Sequence, residues 1–182
     1  MKIQDAVKQM QTGDVLLVQG SSQFSHLIEE ATESKFSHAA IFYRDGTVNM
    51  VAEENERDGG EGVRILNAGF QTVPLNQWLL QQSGPVYWGQ SKDVVRQNPS
   101  HTLELIEYYK EHGTAGHYGF LSLIPILISH LTGVDLRIPP WSEVCSSLDA
   151  EILQKDGDTA VKSASTPQDI ANSAVSLTVL EV

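Results

Sequence analysis

Short apolar runs and helical apolar spacing alternate along this chain. Val15 to Val18 is a continuous apolar run behind a Gly13-Asp14 turn and predicts a buried strand. Phe24, Leu27, Ile28 and Ala31 fall at helical spacing, which predicts a short amphipathic helix over about Ser22 to Thr32. His38 to Tyr43 reads as a strand, Asp45-Gly46 as a hairpin turn, and Val48 to Glu53 as the return strand. The acidic, glycine-rich stretch from Glu53 to Gly62 reads as a loop, and Val63 to Leu66 as a further strand.

Leu75 to Gln82 carries Leu75, Trp78 and Leu79 on a short helix, and Val86 to Trp88 is a strand. Ser100 to His112 is a helix closed by Gly113. Tyr118 to Leu131 is apolar and helical in pattern, interrupted by Pro125. After Pro139-Pro140, a helix runs from Ser142 to about Gln154. Thr166-Pro167 opens another, with Thr as N-cap and Pro at the first position. Val175 to Val182 is a closing strand. Strands come early and helices late, which predicts an α+β fold.

A length of 182 residues suits one domain, with 111–140 as a lid or pocket-shaping insertion. The net charge of −11 argues against nucleic acid and anionic membranes as partners. No long single-sign block supports an acidic decoy of nucleic acid. Phe120 to Ile128, the most apolar stretch, is too short to span a bilayer, so no integral membrane segment is expected. The polar N-terminus has no signal-peptide core, and the expected location is cytoplasmic or otherwise soluble. The pattern sets no oligomeric state, and no metal or other cofactor is expected.

One cysteine rules out an internal disulfide and leaves a buried hydrophobe or a nucleophile. With Ser142 as N-cap, Cys145 occupies the third helical position. Unpaired N–H groups and the helix dipole favour a thiolate there, while Glu143 opposes it. Thiol catalysis needs a base, and the base needs an orienting group. A two-residue Asp45-Gly46 loop pairs Arg44 with Thr47, Phe42 with Asn49, Ala40 with Val51, and His38 with Glu53. A carboxylate opposite the imidazole would hold it, whereas Glu54 would point to the other face. The same pair would also suit an ordinary surface contact. The other histidines suit structural or solvated positions, and no serine-hydrolase, phosphate-loop or dinucleotide motif is present.

Four segments in this order, Gly13-Asp14-Val15-Leu16-Leu17, Phe36-Ser37-His38-Ala39-Ala40-Ile41, Val144-Cys145-Ser146 and Thr166-Pro167-Gln168-Asp169-Ile170, resemble a known family. It is the circularly permuted papain-fold group, the YiiX-like branch of the NlpC-type cysteine peptidase superfamily, which also includes lecithin retinol acyltransferase. The histidine strand precedes the cysteine there, as His38 precedes Cys145. The resemblance runs from about Thr12 to the last strand. It implies a small antiparallel sheet packed against helices, with Cys145 at the start of one of them as nucleophile, His38 as base and Glu53 as orienter. Ser147 departs from the acidic residue that the family often carries two places after the cysteine, and the chain beyond Tyr118 to Pro140 matches poorly.

The expected function is that of a cysteine hydrolase of the amidase, peptidase or esterase type, working through a thioacyl intermediate. Its substrate would be a small-molecule, lipid or peptidyl amide or ester, with Tyr118 and Trp141 as candidate substrate-binding residues. An acyltransferase would use the same residues with an acceptor other than water. A catalytically silent binding protein on the same scaffold is the other reading.

Overall fold

The computed structural model describes residues 1–21, 25–26, 29–30, 33–55, 69–112, 145–161 and 165–181. Six strands form one sheet: β1 (Val15–Val18), β2 (His38–Asp45), β3 (Val48–Asn55), β4 (Gly69–Pro74), β5 (Val86–Gln90) and β6 (Ser176–Leu180). Their order is β4-β3-β2-β1-β5-β6, and every neighbouring pair is antiparallel. The described helices are α1 (Ile3–Gln9), α2 (Leu75–Gln81), α3 (Asp93–Arg96), α4 (Pro99–His112), α5 (Cys145–Lys155) and α6 (Pro167–Ser173). Residues 25–26 and 29–30, in the stretch expected as an amphipathic helix, are helical. The α+β expectation holds.

Alternation along β2 divides the core. Ala40 and Phe42 join Leu16, Val18, Val51, Trp78 and Trp88 on the face covered by α1 and α2. Ala39, Ile41 and Tyr43 join Val15, Leu17, Leu148, Ile152 and Ile170 on the face covered by α5 and α6. This is why β1, central and covered on both faces, reads as an unbroken apolar run. Helix α5 packs on β2 and β3, and α6 on β1 and β2.

Two motif residues lock this frame. Asp14 is fully buried at the entry to β1 and accepts hydrogen bonds from Gln11 N, Trp88 Nε1 and Ser91 N, while Arg96 Nε lies 3.1 Å from its carboxylate. Burial pushes its carboxyl above the usual range despite these donors. Thr166 caps α6 as expected, accepting from Asp169 N while the Asp169 carboxylate accepts from Thr166 N. Gln168 of the same turn accepts from Lys35 N at 3.0 Å, tying α6 to the segment leading into β2.

Several boundaries correct the sequence reading. The hairpin turn is Gly46-Thr47, one residue later than expected, because Asp45 pairs with Val48 as the last rung. Gly46, at φ 58°, takes the first central position, where glycine adopts this backbone without strain. The return strand runs two residues further than expected, so Glu54 and Asn55 belong to β3 rather than to a loop. Helix α1, strand β4 and helix α3 were not foreseen. The strand expected at 63–66, the apolar segment 118–131, the 113–140 part of the expected lid and the Ser142 N-cap lie outside the described residues.

Candidate active site

The shifted turn changes how His38 and Glu53 meet. Ile41 pairs with Ala52, and continuing that register sets Glu53 level with Ala40 and His38 level with Asn55. The directly opposed pairing expected above is therefore replaced by a diagonal one. The displacement is two residues, an even number, so both side chains stay on the same face. Imidazole and carboxylate still meet, with His38 Nε2 2.6 Å from Glu53 Oε2. A diagonal neighbour is within reach of long side chains on a sheet.

Glu53 is fully buried and has two further donors. Trp78 Nε1 donates to Oε2 at 2.6 Å and Gln71 Nε2 donates to Oε1 at 2.6 Å. Gln71 stands directly across from Glu53 on β4, and Trp78 reaches it from α2. Burial alone would push the Glu53 carboxyl up. The hydrogen bond and charge of His38, with the Trp78 and Gln71 donations, outweigh it and hold the carboxyl below the usual range. Glu53 is thus an anion held in place; it accepts from Nε2–H, so in the neutral form of the imidazole the lone pair lies on Nδ1.

Cys145 is the first residue of α5, the helix that packs on β2 and β3. One turn later, Asp149 is fully buried. Glu54 is fully buried too and, by alternation, lies on the α5 face, as expected. Desolvation pushes Asp149 well above the usual carboxylate range. His38 opposes this, and Glu54 and Glu53 add to it.

Of the residues selected from sequence, the structure brings His38 and Glu53 together and sets Cys145 at the start of the helix over their strands. Tyr118 and Trp141 lie outside the described residues. Sequence reasoning missed Gln71, Trp78 and Asp149 as members of this cluster. Trp78 had a signal, since it sits on an apolar helix face, but its indole N–H needed a buried acceptor that only the fold reveals.

No family model matches the chain, and no curated protein matches it. Five chains among solved structures do. One is the crystal structure of metalloprotein yiiX from Escherichia coli O157:H7, DUF1105. It aligns over 95% of this chain and 97% of that one, with a TM-score of 0.57 and 16% identity. The fold is YiiX-like. At this identity the likeness is one of architecture, in line with the papain-like α+β fold expected from the four motifs. No helix among the described residues is long and apolar enough to cross a membrane.

Proposed function

We propose that the protein is a cysteine hydrolase of amides or esters in which Cys145 is the nucleophile, His38 the base and Glu53 its orienter. The observation that carries this reading is the half-buried 2.6 Å contact of His38 Nε2 with an ionised Glu53. It leaves the lone pair of the neutral imidazole on Nδ1. In the proposed reaction Nδ1 takes the thiol proton of Cys145, and the thiolate adds to the substrate carbonyl. The tetrahedral adduct collapses to a thioester as the imidazolium protonates the leaving amine or alcohol. Neutral His38 then takes a proton from the incoming water, which adds to the thioester and releases the acid and Cys145. An alcohol or amine in place of water would make the same residues an acyltransferase. Glu53 stays ionised throughout and stabilises the imidazolium each time it forms.

The solved neighbour is described as a metalloprotein, and a carboxylate-bound histidine is also a common metal-ligand arrangement. Among the described residues, however, no group of three or more His, Cys, Asp or Glu stands close enough together to hold an ion.

The test is the alkylation rate of the single thiol against pH, in the wild type and in His38→Ala. The expected wild-type rate stays high well below the ordinary thiol pKa of about 8.5 and falls in the variant. A rate that follows an ordinary thiol in both proteins would overturn the proposal.

A further inference from the structure

Three N–H groups converge on one buried carboxylate, and two of them share an oxygen. His38 Nε2 and Trp78 Nε1 each lie 2.6 Å from Glu53 Oε2, and Gln71 Nε2 lies 2.6 Å from Oε1. The indole also stands beside the imidazole, with ring centroids 6.5 Å apart and planes inclined by 32°. Trp78 and Glu53 are fully buried, so these contacts act where water screens them little. Neither an indole N–H nor a side-chain amide titrates here, but each presents the positive end of a dipole to the carboxylate.

We propose that Trp78 and Gln71 are positioning residues that act through Glu53 to set the basicity of His38, each making the imidazole a weaker base than Glu53 alone would make it. The elements that carry the two donors add no charge of their own, since neither α2 nor β4 has a titratable residue, and β1 has none either. On β2, Arg44 and Asp45 stand at the end of the strand away from His38. Lys35, in the segment leading into β2, lies over the Tyr87 ring. On β3, Glu54 is buried on the α5 side; α5 itself begins at Cys145 and carries the buried Asp149, with Glu151 paired to Lys155. Glu54 and Asp149 are the same in every variant below.

The effect has a definite sign. With the imidazole neutral, the Glu53–His38 pair carries one negative charge; with the imidazolium it carries none. Donors aimed at Oε2 and Oε1 stabilise charge on the carboxylate and so favour the first state. Removing either donor raises the proton affinity of the pair, which titrates as a unit. Trp78 has the more direct hold, because its N–H shares with His38 a single oxygen. A purely structural role gives the opposite sign: a carboxylate merely loosened by loss of a donor would grip the imidazolium less, and the pair would bind its proton less tightly.

The role in catalysis rests on the proposed hydrolase reading: His38 must give its proton up to the leaving group, and an imidazolium held too tightly would be slow to do so. The tuning itself does not require a reactive thiol. The experiment follows the His38 ring by NMR across pH in the wild type, in Gln71→Met and in Trp78→Phe. The series is repeated with Cys145→Ser, which takes the thiol out of the titration. The indole N–H resonance of Trp78 is followed in the same wild-type samples. The expected result is a His38 midpoint raised by about half a pH unit or more in each variant. The wild-type indole resonance should move with that midpoint, because the two donors share Oε2. Gln71 is half-buried and methionine is unbranched like it, so this comparison stands even if Trp78→Phe fails to fold, and the indole measurement needs no variant. An unchanged or lowered His38 midpoint in Gln71→Met, or an indole resonance that does not follow His38, would overturn the inference. Alkylation of Cys145 in the thiol-bearing samples separates the two claims: an ordinary thiol with raised midpoints removes the hydrolase reading and leaves this one standing.

Discussion

Replacing Glu53 by Gln changes one oxygen into an NH2 group and keeps the shape. The carboxylate accepts from three donors, with His38 and Trp78 on Oε2 and Gln71 on Oε1. A glutamine can turn its carbonyl toward only one side. Its NH2 group then faces either the Gln71 amide or the His38 and Trp78 N–H groups, donor against donor. Trp78 is fully buried, so water cannot serve its N–H instead. Hydrogen bonds to a charged acceptor contribute about 1.5–3 kcal/mol each, and at least one is lost, with repulsion in its place. We expect Glu53→Gln to lose about 3 kcal/mol at pH 7. With a urea slope of about 2 kcal/mol per molar, the midpoint falls by roughly 1.5 M.

The pH dependence gives a second check. The folded-state pKa of Glu53 lies below its ordinary value of about 4.3. Its contribution is therefore fully present above that value and is lost as pH falls through the folded-state value. The gap between wild type and variant should hold from neutral pH down to about pH 5 and narrow below it. Coincident urea curves at pH 7, or a gap that still widens as pH falls below about 4, would refute this account of the buried carboxylate.

Gly13→Ala should cost about 1–3 kcal/mol in the same unfolding assay, because φ is 93° and an added Cβ would stand 2.7 Å from Val95 Cγ1. Part of that loss should return in the double variant with Val95→Ala, which removes the clash and leaves the backbone strain. Thr166→Ala should cost about 1 kcal/mol by deleting half of a reciprocal cap on α6, and Thr166→Ser should recover most of it.

The central hairpin was legible because His38 to Tyr43 and Val48 to Glu53 are β-rich runs around a glycine turn. The turn was misplaced because Asp45-Gly46 and Gly46-Thr47 are both plausible two-residue loops, and only the pairing of Asp45 with Val48 separates them. The functional pair survived that error through parity alone; a shift of one residue would have parted His38 from Glu53. Strand β4 was harder to see. Gly69–Pro74 has glycine at one end and proline at the other, and its place follows from pairing with β3 rather than from any local pattern. Gln71 was lost from the site with it. Asp149 was invisible for a related reason. Between Leu148 and Ala150 an acid reads as the solvated side of a helix, and only packing on two strands buries it.

The position of His38 within its strand carries a further consequence. Strand alternation sends Ala40 and Phe42 to the α2 face, and Ala39 and Ile41 to the α5 face. A histidine deep in β2 would be confined to one face, and the helix bearing Cys145 would be screened from it by the sheet. His38 is the first residue of β2, where the sheet ends. Just before it the alternation breaks: Phe36 packs on the α5 face, two residues from a histidine that meets Glu53 on the other. Ser37 holds that bend, with its N–H donating to Val18 O at 2.9 Å and its Oγ accepting from Gly20 N at 3.0 Å. The Phe-Ser-His order thus has a mechanical meaning. Phe36 anchors one face, Ser37 ties the bend to the end of β1, and the imidazole stands at the end of the strand beside Glu53.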